Sequence, residues 1–145
     1  MVEVTIIAGS RSDEPLVKVV EETLAGLGVD YDSHIASAHR DPKRVEEIVA
    51  SSDADVFIGV AGLSAALPGV IASHTLKPVI GVPRDVKLDG LDAFLSIVQM
   101  PPGVPVATVG VDNGKNAALL AVEILSLRDE GLKEKLARYR GLKKV

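Results

Sequence analysis

The chain has no cysteine and no tryptophan, only two tyrosines and two phenylalanines, and three histidines among 145 residues. Without thiols there is no disulfide framework and no thiolate nucleophile, which fits a reducing cytoplasmic setting. The histidines, at positions 34, 39 and 74, are scattered and match no zinc-ligand spacing, so no metal is expected. So few aromatic rings leave little with which to build a flavin sandwich. There is no Walker A loop, and Gly59-Val60-Ala61-Gly62 lacks the spacing of a dinucleotide fingerprint. No Gly-x-Ser-x-Gly nucleophile elbow occurs. A phospho-receiver would need an aspartate after the third strand, where this chain has Ala61-Gly62. No apolar run is long enough to span a bilayer, and no basic region precedes an apolar core at the N-terminus. Neither a membrane anchor nor a secretory leader is therefore expected. Side-chain amides are scarce too: Gln99, Asn113 and Asn116 stand among many lysines and glutamates, a composition that leans towards heat-stable proteins.

What is present reads as one globular domain over 1–145. Hydrophobic residues make up 47% and charged residues 25%, which is a foldable balance at a size that buries roughly 68–70% of the unfolded surface. The net charge of −4 argues against nucleic acid or an anionic membrane as a partner. Strand-like and helix-like stretches alternate along the chain. Val2 to Ala8 reads as a strand, near-continuously apolar from Val4 to Ala8 except for Thr5, as a strand covered on both faces should be. Glu14 to Leu27 carries a helical stripe that Gly28 stops. Val29 to Ala36 alternates, with Val29, Tyr31 and Ile35 on one face and Asp30, Asp32 and His34 on the other, so it reads as an edge strand. Pro42 to Ser51 is a helix opened by Asp41-Pro42. Asp55 to Ala61 is the most apolar strand and runs into a small-residue loop and a short helix ending near Thr75. Pro78 to Val82 is a strand, Asp89 to Met100 a helix, and Val104 to Val109 a fifth strand. Asn116 to Leu127 is a helix apolar nearly all round, implying cover by a second subunit or by the amphipathic helix that follows to Tyr139.

This βαβ alternation predicts a three-layer α/β/α fold around a parallel sheet of order 2-1-3-4-5, with an added C-terminal helix. Ligands then bind beyond the carboxyl ends of strands one and three, where Gly9–Asp13, Ser37–Arg40 and Gly62–Gly69 converge. In the first loop a strand ends in Gly9 and a helix begins. Unpaired backbone N–H groups there suit an anion, Ser10 and Ser12 add hydroxyls, and Arg11 adds charge. Asp13 would repel a phosphate, so it either caps the helix or accepts from hydroxyls such as those of a ribose. His39 follows two small residues at a strand's carboxyl end. A histidine ring titrates near neutral pH and suits proton transfer. Arg40 beside it has the fork that grips phosphate. His34, on the polar face of an edge strand, and His74, near a helix end, read as surface residues.

Four segments occur in order: Gly9-Ser10-Arg11-Ser12-Asp13, Ser37-Ala38-His39-Arg40, Ala66-Leu67-Pro68-Gly69, and Ser96-Ile97-Val98-Gln99-Met100-Pro101. Together they resemble the PurE family of purine biosynthesis, class I N5-carboxyaminoimidazole ribonucleotide mutase, also called the phosphoribosylaminoimidazole carboxylase catalytic subunit. The likeness runs from Val4 to Leu127. It implies a flavodoxin-like fold, a cytoplasmic octamer with sites built from more than one subunit, and no cofactor. The implied reaction turns N5-carboxyaminoimidazole ribonucleotide into 4-carboxy-5-aminoimidazole ribonucleotide, with CO2 released and recaptured inside a closed site. By the same resemblance His39 is the general acid/base. Ser10, Ser12 and Arg40 hold the phosphate and Asp13 the ribose hydroxyls. Ser37, Ala38, Gly62 and Leu67 belong to the substrate site, and the loop from Ala61 to Gly69 encloses CO2. One position departs: class I members usually carry histidine where this chain has Ala66. Alanine cannot hydrogen-bond a carboxylate. Two alternatives thus stand beside the mutase: a lyase-type direct carboxylase of aminoimidazole ribonucleotide, or a binding-competent variant with reduced turnover.

Overall fold

The computed structural model describes residues 1–143. Five strands form one parallel sheet in the order β2-β1-β3-β4-β5. They are β1 (Val4–Ala8), β2 (Tyr31–Ile35), β3 (Val56–Ala61), β4 (Val79–Pro83) and β5 (Ala107–Thr108). Six α-helices lie on the two faces: α1 (Glu14–Gly26), α2 (Pro42–Ser51), α3 (Leu67–Ser73), α4 (Leu91–Val98), α5 (Gly114–Ser126) and α6 (Glu130–Tyr139).

Strand periodicity divides the core in two. Alternate residues Val4, Ile6, Val56, Ile58, Val60, Ile80 and Val82 meet Val20 and Leu24 of α1 and Ala117, Ala121 and Val122 of α5. The other face sets Ile7, Phe57 and Val79 against Val45 and Ile48 of α2, Ile71 of α3, and Ala93 and Ile97 of α4. Every residue of β1, β3 and β4 is buried, which explains their apolar runs, interrupted by a polar side chain only at Thr5. On the second face Gly59 and Gly81 are register partners. A Cβ on Gly81 would stand 2.3 Å from Ile97 Cγ2 and 3.2 Å from Pro68 Cβ; one on Gly59 would stand 3.1 Å from Pro68 Cγ. Two side-chain-free positions in adjacent strands therefore let α3 sit down on the sheet through Pro68. That contact fixes the loop feeding α3 above the carboxyl ends of the strands.

The elements depart from the sequence reading in three places, and at α5 the structure fills in an alternative that the sequence left open. β5 shrinks to two residues because Pro105 has no N–H to give and Pro101 to Val104 close into a turn (Val104 N–H to Pro101 O, 3.2 Å). The fourth helix starts only at Leu91, since Leu88, Asp89 and Gly90 all have positive φ. In β2, Ile35 is 44% exposed at the end of an edge strand, while the polar face is largely paired rather than solvated. There the fully buried Thr5 donates to Asp32 Oδ1 (2.7 Å), and Asp32 Oδ2 meets His34 Nε2 (2.9 Å). Finally α5 is covered by α1, the sheet and α6, with Leu132 and Leu136 of α6 buried in the same cluster. The C-terminal helix thus supplies one of the two covers that its apolar circumference implied. No helix among the described residues is long and apolar enough to cross a membrane.

Candidate active site

The loops after β1, β2, β3 and β4 meet at the carboxyl edge of the sheet around a cavity of about 230 Å³. Its walls include Ser10, Ser12 and Asp13 from the first loop, Ser37, Ala38, His39 and Arg40 from the second, Gly62 from the third, and Leu67 at the start of α3. All nine residues singled out for the site thus share one cavity. A wider, open groove of about 940 Å³ lies by the start of β4, lined by His74, Thr75, Lys77 and Gly103. Its one lysine is committed to the carbonyls of Asp53 and Ala54, so it offers little convergent chemistry.

The first loop is a 3-10 turn over Arg11–Asp13 with a reciprocal capping box. Ser10 Oγ accepts from the Ser12 N–H (3.3 Å), and Asp13 Oδ2 accepts from the Ser10 N–H (3.0 Å). Asp13 stands at the N-cap of α1 but makes no side-chain cap bond to that helix; its Oδ2 closes the capping box of the preceding turn instead, and its other oxygen is turned away from Ser10. That second oxygen accepts from Arg84 Nη1 (3.0 Å), which also donates to Ser12 Oγ (3.0 Å). Asp13 is only 3% exposed. Burial pushes its carboxyl above the ordinary carboxylate range, against the downward pull of the Arg84 guanidinium and the Ser10 N–H.

The second loop is tied to the first. Arg40 Nη2 donates to the Gly9 carbonyl (3.3 Å), and its backbone N–H donates to Ser37 Oγ (3.1 Å). Asp41 then caps α2 through the Arg44 N–H (3.3 Å). His39 is exposed on the cavity wall, and its ring has no hydrogen-bond partner among the described residues. The third loop brings no ionisable side chain to the cavity: Ala61, Gly62, Leu63, Ser64 and Leu67 line it. Ser64 holds a left-handed φ of 49°, a conformation costly for a non-glycine residue. Ala66 is the N-cap residue of α3, makes no side-chain cap and is not among the residues lining the cavity, whereas its neighbour Leu67 is.

Arg84 was missed from the sequence. It directly follows Pro83 at the carboxyl end of β4, and its backbone N–H bonds the Ala61 carbonyl (3.0 Å). The order 2-1-3-4-5 puts that end beside β3, so the loop after β4 belonged among the candidates. The fourth motif, Ser96–Pro101, lies at the far end of α4, where Ile97 is core, Met100 packs near Gly69, and Ser96, Val98 and Gln99 are exposed. It does not line this chain's cavity.

A family model described as AIR carboxylase matches residues 3–144. The chain is 60% identical over 137 residues to the N5-carboxyaminoimidazole ribonucleotide mutase of Methanocaldococcus jannaschii, covering 94% of this chain and 87% of that one. It is 46% identical over 144 residues to the mutase of Thermotoga maritima, covering 97% and 84%. The crystal structure of Treponema denticola PurE superposes with a TM-score of 0.88 at 30% identity, covering 97% of this chain and 90% of that one. With the fold, the family model and relatives of this identity in agreement, the chain belongs to the AIR carboxylase, or PurE, family.

Proposed function

We propose that this chain is an N5-carboxyaminoimidazole ribonucleotide mutase of purine biosynthesis, converting its substrate to 4-carboxy-5-aminoimidazole ribonucleotide. The observation that carries the reading is the convergence of His39, Arg40, Ser10, Ser12 and Asp13 on one cavity in a family member. Ser10, Ser12 and Arg40 take the phosphate, Asp13 accepts from the ribose hydroxyls, and the rim from Ser37 and Ala38 to Gly62 and Leu67 surrounds the base. His39, with no protein partner to orient it elsewhere, is free to give and take a proton. It protonates the carbamate nitrogen, the N–C bond breaks and CO2 departs. The ring carbon then forms the new C–C bond to CO2 and loses its proton to His39, which restores the starting state. The third loop, whose cavity side chains are small or apolar, keeps CO2 from exchanging with bulk water. No step calls for a metal or an organic cofactor.

The chain works in the cytoplasm as a homo-oligomer, an octamer by family likeness. Two observations support assembly. Leu91, Leu95 and Val98 form an exposed stripe along α4, at 56%, 41% and 40% exposure. The Ser96–Pro101 motif beside that stripe is left outside this chain's own cavity, where a neighbouring subunit's site can use it. The test is to mix the protein with the carbamate substrate and follow formation of the 4-carboxy product. Absence of product across neutral pH, at subunit concentrations that sustain the oligomer, overturns the assignment.

A further inference from the structure

We infer that Arg84 is a positioning residue for the substrate: it clamps the buried Asp13 carboxylate in the orientation that accepts the vicinal hydroxyls of a ribose. The inference rests on the ribonucleotide function proposed above and adds a residue to it.

Each Asp13 oxygen accepts one bond from the protein, Oδ2 from the Ser10 N–H and Oδ1 from Arg84 Nη1, both at 3.0 Å. Two donors on opposite oxygens fix the plane of the carboxyl group. A carboxylate has about four acceptor positions, so two remain for a ligand. The Ser10 contact is local and holds only the turn. The Arg84 contact comes from 71 residues away and ties the Asp13 carboxylate to the loop after β4. Arg84 is itself anchored, since its backbone N–H is held by the Ala61 carbonyl at the end of β3. From there the side chain reaches past β3 and also takes Ser12 Oγ, so one guanidinium sets both a hydroxyl and a carboxylate of the first loop. Arg84 is 29% exposed on the cavity wall, a cation kept partly dry by its partner.

The pairing has a second consequence. A carboxylate this buried resists ionisation, and a protonated Asp13 would spend one oxygen as a donor instead of an acceptor. The ionisable groups around it are few: Arg84 from the loop after β4, His39 and Arg40 across the cavity from the loop after β2, and none from the loop after β3. Among the described residues only Arg84 touches it with a positive charge. Without that cation, only the Ser10 N–H opposes burial, and Asp13 keeps its proton to higher pH.

The experiment compares the full-length protein with Arg84→Met and Arg84→Lys. Steady-state kinetics with the carbamate ribonucleotide run from acid to alkaline pH, beside a 13C NMR titration of the Asp13 carboxyl without ligand. For Arg84→Met we expect KM to rise at least ~10-fold, as for loss of one bond to a charged group, with the loss falling on KM more than kcat and growing towards acid pH. The Asp13 titration moves upward, and Arg84→Lys recovers a substantial part of both effects. Unchanged KM, a loss confined to kcat, or an unmoved Asp13 titration overturns the inference. If the wild-type protein neither binds nor turns over the ribonucleotide, the functional reading fails instead, and the NMR arm still decides whether Arg84 governs Asp13.

Discussion

Asp13→Asn separates what the buried carboxylate does for the fold from what it does for the ligand. Both Asp13 oxygens face donors, so an amide in the same place turns one of its ends, whichever way it flips, towards another N–H. The variant loses one charge-assisted hydrogen bond and leaves Arg84 without its counter-ion, a loss of ~1.5–3 kcal/mol taken alone. Against this it escapes the desolvation of a carboxylate that is 3% exposed. Desolvation is the larger influence on Asp13, since its carboxyl is raised despite Arg84. The sign follows from linkage. An acid whose folded pKa is raised binds its proton more tightly folded than unfolded, so its contribution to stability is full at acid pH and declines as pH rises through the raised value. The asparagine variant has no such decline. Its stability relative to wild type should therefore improve between about pH 3.5 and neutrality, ending within ~1 kcal/mol of wild type. Binding should behave oppositely. Loss of the ionised acceptor for two ribose hydroxyls should raise the Kd for aminoimidazole ribonucleotide at least ~10-fold, the equivalent of ~1.4 kcal/mol. Urea unfolding at the two pH values and calorimetry at neutral pH measure both. An unchanged Kd, or a stability difference that worsens towards neutral pH, would refute the reasoning.

His39→Asn should retain the wild-type fold by circular dichroism and lose at least ~10²-fold in turnover, because asparagine cannot carry a proton between nitrogen and carbon; a smaller loss rules out the proton-transfer role. Ala66→His places a side chain with a donor and an acceptor at the entrance of α3 and should raise mutase turnover; an equal or lower rate means that the loop is adapted to alanine. Leu95→Glu puts a charge in the middle of the apolar stripe on α4 and should shift the sedimentation coefficient towards smaller species; an unshifted profile means that α4 is not an assembly surface. Thr5→Val preserves shape but takes away the hydroxyl that binds Asp32 and Ser52 from a fully buried site. It should cost ~1–2 kcal/mol, read as a Tm lowered by about 2–4 °C per kcal/mol; an unchanged Tm would mean that the polar cluster under β2 contributes nothing net.

Most of the architecture was legible because it rests on patterns a few residues long. A near-continuous apolar run marked β1 as a strand covered on both faces, the most apolar stretch marked β3, and alternation from Val29 to Ala36 marked an edge, which is how the sheet is ordered. Strand–loop–helix transitions identified the three loops at the carboxyl edge, and the nine residues taken from them do share one cavity. The shortened β5 follows from Pro105, whose missing N–H was visible but whose effect depends on pairing with β4. The left-handed run at Leu88–Gly90 has no short-range signature beyond its glycine. Other features exist only once distant segments meet. Arg84 becomes part of the site because β4 lies beside β3 and its side chain reaches a turn 71 residues earlier. Asp13 is perturbed because tertiary packing buries it and brings that cation within 3.0 Å. The facing glycines at 59 and 81 have meaning only in register, where they admit Pro68 and set the height of the third loop. Secondary structure and motif chemistry are local, so the sequence by itself determined them. The environment of a buried charge and the closing of a cavity depend on distances between strands, and these only the tertiary structure decided.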